Sequence, residues 1–159
     1  FIGVSYNSYT MKTLFDPEAA KEVVARINNL TPNSTALWGK MKVDQMLAHC
    51  TRGLEMGTGD QNLPRPFIGR LIGRLLRSVY SNDKPFHRNS PTAPYLTVTD
   101  PRDFEQEKQK LFVIIQRFQT GGESKCTTHP HPFFGKLTPR EWGIGMYKHL
   151  DHHLNQFGV

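Results

Sequence analysis

The sequence predicts an all-α domain, a bundle of four long helices with a long crossover connection that carries a shorter fifth. Three observations lead there. Apolar residues recur at spacings of three and four in five stretches, as amphipathic helices require. Most of these stretches open on an N-cap residue or a first-turn proline and close on glycine or Thr-Pro. The connection from Asp60 to Thr99 is too long to be structureless in a compact domain, so it must hold an element of its own.

Composition narrows the class further. A chain of 159 residues is the size of one domain, able to bury roughly 70% of its unfolded surface. Apolar content of 37%, with ten Phe, supplies a core without staples. Cys50 and Cys126 lack CxxC spacing, which argues against a disulfide framework or zinc knuckle and for a reducing, cytoplasmic setting. No apolar run approaches the ~20 residues that span a bilayer, and no basic segment followed by an apolar one opens the chain. Residues 1–10, FIGVSYNSYT, precede Met11 without periodicity and read as an N-terminal extension or cloning remnant, leaving 11–159 as a single helical-bundle domain.

Asp16-Pro17 opens the first helix, whose stripe is Ala20, Val23, Val24, Ile27 and Leu30; Thr31-Pro32 ends it. Trp38 in the loop that follows is expected to fold back as a core anchor. The second helix is expected from Val43 to Met56, with Gly57 and Gly59 beyond it and no acceptor at Lys42 to cap it. Met46, His49, Cys50, Gly53 and Met56 share its stripe. Within the crossover, Phe67, Ile68, Leu71, Ile72, Leu75, Leu76 and Val79 oppose Arg70, Arg74 and Arg77. The preferred reading of that helix is a cover whose apolar side seals the bundle and whose arginines are solvated. An anion-guiding rim comes second, and membrane or nucleic-acid contact third.

Tyr95 to Thr99 alternates as a short extended piece. Asp100-Pro101 is expected to begin the next long helix, with Phe104, Leu111, Phe112, Ile115 and Phe118 inward and Gly121-Gly122 at its end. The last helix is the best punctuated. Thr138 caps it, Pro139 takes the first position, Glu141 completes a capping box and Gly158 lies past its end. Trp142, Met146, His149, His153 and Gln156 fall on one stripe.

Two imidazoles one turn apart on an inward face need partners for their ring nitrogens, and a metal ion serves both. His49 is a third histidine on an inward face. In bundles, metal sites are built from facing helices, so His49, His149 and His153 satisfy that geometry if their helices are neighbours. Gln45 and Gln156 are candidate partners that orient the ligands. His152 and Asp151 lie off the stripe, Glu55 is remote, and His129 and His131 sit in a Pro-rich loop, where a turn role is preferred over a place at the rim of the pocket mouth. Cys50 leaves its helix about 100° from His49 and reads as a buried small hydrophobe rather than a nucleophile.

The lone His49 in QMLAHC, followed by YKHLDHHLNQFG, resembles the DinB-like (DinB/YfiT) superfamily of metal-binding four-helix bundles. LFDP, ALWGKM, NDKPF, DPRDFE and HPFFGKLTPREW are similar to a small uncharacterised subfamily of it, from Met11 onward. The resemblance implies a divalent metal held by His49, His149 and His153, with zinc or nickel foremost. Related members include thiol-dependent transferases and isomerases, and bundle relatives often pair as homodimers.

Two functions are therefore expected. One is a metal-dependent thiol S-transferase or hydrolase-type enzyme acting on an unknown small molecule, with a low-molecular-weight thiol as partner. The other is a non-catalytic metal-binding stress-response module. The net charge of +6 admits anionic partners, but stacking aromatics interleaved with basic residues are lacking, so specific nucleic acid is not an expected partner; nor is a membrane, since the apolar side of the crossover helix is read as sealing the bundle.

Overall fold

Capping marks where most of the helices start. In the computed structural model, which describes residues 11–159, Asp16 accepts the Glu18 N–H and starts α1, Pro17–Asn28. The helix α2, Val43–Thr58, has no side-chain acceptor at Lys42; half a capping box replaces it, with Gln45 Oε1 accepting the Lys42 N–H at 3.0 Å. The crossover helix α3 spans Phe67–Ser81 and α4 spans Phe104–Gly121. In α5, Pro139–Gln156, the expected capping box is complete: Glu141 N–H donates to Thr138 Oγ1 and Thr138 N–H to Glu141 Oε2. The described residues form these five helices and two 3₁₀ turns, Pro94–Leu96 and Glu123–Lys125, with no strand among them. Residues 1–10, read above as an extension or remnant, lie outside the described residues.

The helices pack in a cyclic order. The first, α1, lies against α4 and α5, and α2 lies against the same two, while α3 packs against α5 outside that ring. Val23, Ile27, Leu47, Leu54, Leu111 and Leu150 are at most 1% exposed at its centre, each contributing ~1.5–3 kcal/mol by burial. At the C-terminal end of α5, Arg26 donates to Asp151 Oδ1 at 2.6 Å and to the Val159 carbonyl, tying α1 to α5. No described helix is long and apolar enough to cross a membrane.

Several boundaries differ from expectation, each for a local reason. Gly57 lies inside α2, where its lack of a side chain leaves room for Phe118, a Cβ there meeting Phe118 Cε2 at 2.9 Å; Gly59, at φ 84°, ends the helix. Asp103, not Asp100, caps α4, accepting the Gln106 N–H at 2.8 Å. The extended piece at Tyr95 to Thr99 is not a strand. Its start is a 3₁₀ turn, and its carbonyls are taken by side chains of α2: Arg52 donates to Thr97 and Gln45 to Thr99. Trp38 is half-buried, with its ring under the Arg88 guanidinium at 4.2 Å rather than in the core.

The largest correction concerns α3, whose apolar side does not seal the bundle. Gly69, Gly73 and Tyr80 are its buried residues, whereas Phe67 is 80%, Leu71 63% and Leu75 79% exposed. The glycines decide this orientation. They let the helix backbone touch the loop at Pro132 to Phe134, and a Cβ on Gly73 would overlap the Phe133 carbonyl. Arg77 then locks the helix to α5 through a bidentate pair with Glu141 at 2.7 and 2.5 Å.

Candidate metal centre

The three inward histidines converge. His49 comes from the middle of α2, and His149 and His153 lie one turn apart near the end of α5. Their ring centroids form a near-equilateral triangle with sides of 4.8, 4.6 and 4.9 Å. One nitrogen from each lies within 4.8 Å of the others, close enough to hold a metal ion. A tetrahedral ion with metal–nitrogen bonds of ~2.0–2.1 Å sets its nitrogens about 3.3 Å apart, inside the range these rings span.

The surrounding hydrogen bonds fix two tautomers. His49 Nδ1 faces the Leu96 carbonyl at 2.9 Å, and since a carbonyl only accepts, Nδ1 carries the hydrogen and Nε2 keeps its lone pair. Gln156 Nε2 donates to the Trp38 carbonyl at 2.8 Å, which turns its Oε1 toward His153 Nδ1, also at 2.8 Å. His153 therefore donates from Nδ1 and keeps a lone pair on Nε2 as well. Between His49 and His149, with Nε2 atoms 2.8 Å apart, His149 must donate to the His49 lone pair. A cation shared by the three rings would take the place of that N–H, with His149 then offering a lone pair as well.

Burial keeps all three rings neutral. Desolvation pushes the His49 and His149 imidazoliums below the ordinary histidine range and His153 to about 3, with the neighbouring imidazoles adding to the effect at His149 and His153. Neutral imidazole is the ligand form, so neutral pH suits the set. His49 and His153 are 3% and 7% exposed. His149 is the one member of the three that is not fully buried as a residue.

Other residues singled out in the sequence are placed elsewhere. Gln156 does hold the His153 ring, but Gln45 caps α2 and bonds Thr99. Asp151 is held by Arg26. His152 stacks edge-on against His153 at 5.1 Å and against Trp38. The imidazole of His131 is buried and accepts the Phe133 and Phe134 N–H groups, the turn role expected of it, and His129 bonds the Leu63 carbonyl. Cys50 is buried with its thiol directed at Met46, and desolvation raises its pKa far above reactivity at neutral pH. Cys126, pushed to about 11, is likewise a thiol.

Four contributors had no strong signal in the sequence. Gly53, one turn after His49, makes room for the His149 ring. Gly39, at φ 81°, brings the loop carbonyl of Trp38 against Gln156, where a Cβ would stand 2.6 Å from Nε2. Tyr80 crosses α5 at Gly145, one turn before His149, and its hydroxyl is buried without a partner among the described residues; so is the Trp142 indole N–H. Only the spacing of Gly53 and Gly145, each four residues from a histidine on the same face, hinted at close ring packing.

A protein-family model described as "protein of unknown function (DUF1569)" matches residues 10–158. The chain belongs to this family. No curated protein and no solved structure matches it, so the chemistry of a DUF1569 chain has to be read from its own residues.

Proposed function

We propose that this DUF1569 chain is a divalent-metal protein whose ligands are His49, His149 and His153, with zinc or nickel as the ion. The observation that carries the reading is the pair of fixed tautomers: Leu96 and Gln156 hold the Nδ1 hydrogens of His49 and His153, leaving both Nε2 lone pairs for the centre. Imidazole ligands suit zinc and nickel alike. The cyclic order α1–α4–α2–α5, with α3 outside it, supports a DinB/YfiT-like four-helix bundle with an extra helix on its crossover connection.

Three imidazoles leave at least one coordination position free, as catalytic rather than structural sites do. A bound divalent ion would supply Lewis acidity there, lowering the pKa of a thiol or water. The chain's own residues would orient what enters. His149, the partly exposed member of the three, would meet what enters, with His49 and His153 buried behind it. A metal-dependent thiol S-transferase or hydrolase-type enzyme of the reducing cytoplasm follows as the proposal, with Cys50 and Cys126 remaining free thiols.

One observation favours a second reading, a non-catalytic metal-binding stress-response module. Among the described residues, the nearest thiol, Cys50, faces Met46, and Asp151 is engaged by Arg26, so no charged base or nucleophile is aimed at the triad. Loading the protein with Co²⁺ separates the two. A thiolate-to-cobalt absorption band on adding a small monothiol supports the enzyme reading, whereas a visible spectrum indifferent to thiols and anions supports the closed module.

A further inference from the structure

The helix α3 divides into three sectors at about 100° per residue. Gly69, Gly73 and Tyr80 form the sector that touches the protein. Phe67, Ile68, Leu71, Leu75 and Val79 form a second that faces outward, 40–80% exposed. Arg70 and Arg74 form a third along the edge of the apolar one, exposed and without an ion pair or hydrogen bond among the described residues. Monomeric proteins rarely leave so continuous an apolar face uncovered.

Charge selects the occupant. The helix contains no acidic residue. Arg77 is already paired with Glu141, so the cations available beside the apolar face are Arg70 and Arg74. Packing a second copy face to face would bring two sets of these arginines to one seam with no carboxylate on either helix. An anionic lipid surface reverses that repulsion: its acyl boundary takes the apolar sector and its headgroup phosphates take the guanidiniums. We infer that α3 is a membrane-surface element that lays its Phe67–Leu71–Leu75 face into the headgroup boundary of an anionic bilayer. The helix stays docked through its glycines, so the protein lies on the membrane without spanning it. This replaces the expectation of no membrane partner, which assumed that the apolar face was spent on the core.

The test is flotation of the full chain with vesicles of phosphatidylcholine containing about one-third phosphatidylglycerol, beside pure phosphatidylcholine. The wild type floats with the anionic vesicles and releases at high salt. Arg70→Gln/Arg74→Gln weakens binding by about 10- to 30-fold, from ~1 kcal/mol for each basic residue near the surface. Leu71→Glu/Leu75→Glu abolishes it, and both variants keep the parent's circular dichroism, because the substituted residues are exposed. A wild type that stays with the soluble fraction at low salt overturns the inference, as does binding unaffected by either variant. A concentration-dependent dimer in light scattering, dissolved by Leu71→Glu/Leu75→Glu and indifferent to vesicles, assigns the face to a second copy instead.

Discussion

Gly53 of α2 and the imidazole of His149 on α5 share one volume: a Cβ at Gly53 would stand 2.8 Å from His149 Cε1 and 2.9 Å from Nδ1. His49 lies one turn before Gly53 on the same face, so the small residue lets the two helices bring their rings together. Gly53→Ala is expected to displace His149. Alanine gains ~1 kcal/mol of helix propensity, which overpacking of ~1–3 kcal/mol offsets or exceeds. Zinc titration calorimetry of the metal-free protein should show affinity lower by at least about tenfold, while chemical denaturation shows only a small loss of stability.

Gln156 is the second support. Its amide links the Trp38 carbonyl to His153 Nδ1, each at 2.8 Å. Gln156→Leu keeps the volume and removes both bonds, freeing the His153 ring to rotate. Competition against a chromophoric chelator should show metal bound about 10- to 100-fold more weakly.

The helices and the histidines were legible for different reasons. Caps and stripes are local, so α1 and α5 read true from Asp16-Pro17 and from Thr138 to Glu141. His49, His149 and His153 were legible because each occupies an inward position on a periodic helix. Of the supports only Gln156, one turn from His153, was legible; the others depend on contacts distant in sequence, Leu96 reaching His49 from the crossover and Trp38 reaching Gln156 across most of the chain. The α3 face misled because periodicity locates an apolar stripe without saying what lies against it, and Gly69 and Gly73 gave the protein a closer surface to grip.

Acid should unfold the metal-free protein early. His131 is held to about 3 by desolvation, against an unperturbed 6.5. The unfolded chain therefore takes up a proton as pH falls below 6.5 while the native ring stays neutral, so stability is whole above that value and falls toward pH 3. Each such group contributes a slope of about 1.4 kcal/mol per pH unit. His153, also held to about 3, adds a second. His131→Asn keeps an acceptor for the Phe133 and Phe134 N–H groups and removes one titration. Urea denaturation at pH 7, 6 and 5 (roughly the upper half of that window) should show a shallower loss in the variant.

Docking of α3 rests on Gly73, whose backbone meets the Phe133 carbonyl. Gly73→Ala should lift the helix and cost about 1–3 kcal/mol. Hydrogen exchange should then rise over Phe67–Ser81 while α2 and α5 keep their protection.

The most direct test is elemental analysis of untagged protein purified without added metal, beside His149→Ala/His153→Ala. Near-stoichiometric zinc or nickel in the parent and none in the variant is the predicted result. A parent that is empty as purified and remains empty after incubation with Zn²⁺ or Ni²⁺ would contradict the metal centre and leave the three histidines as core packing.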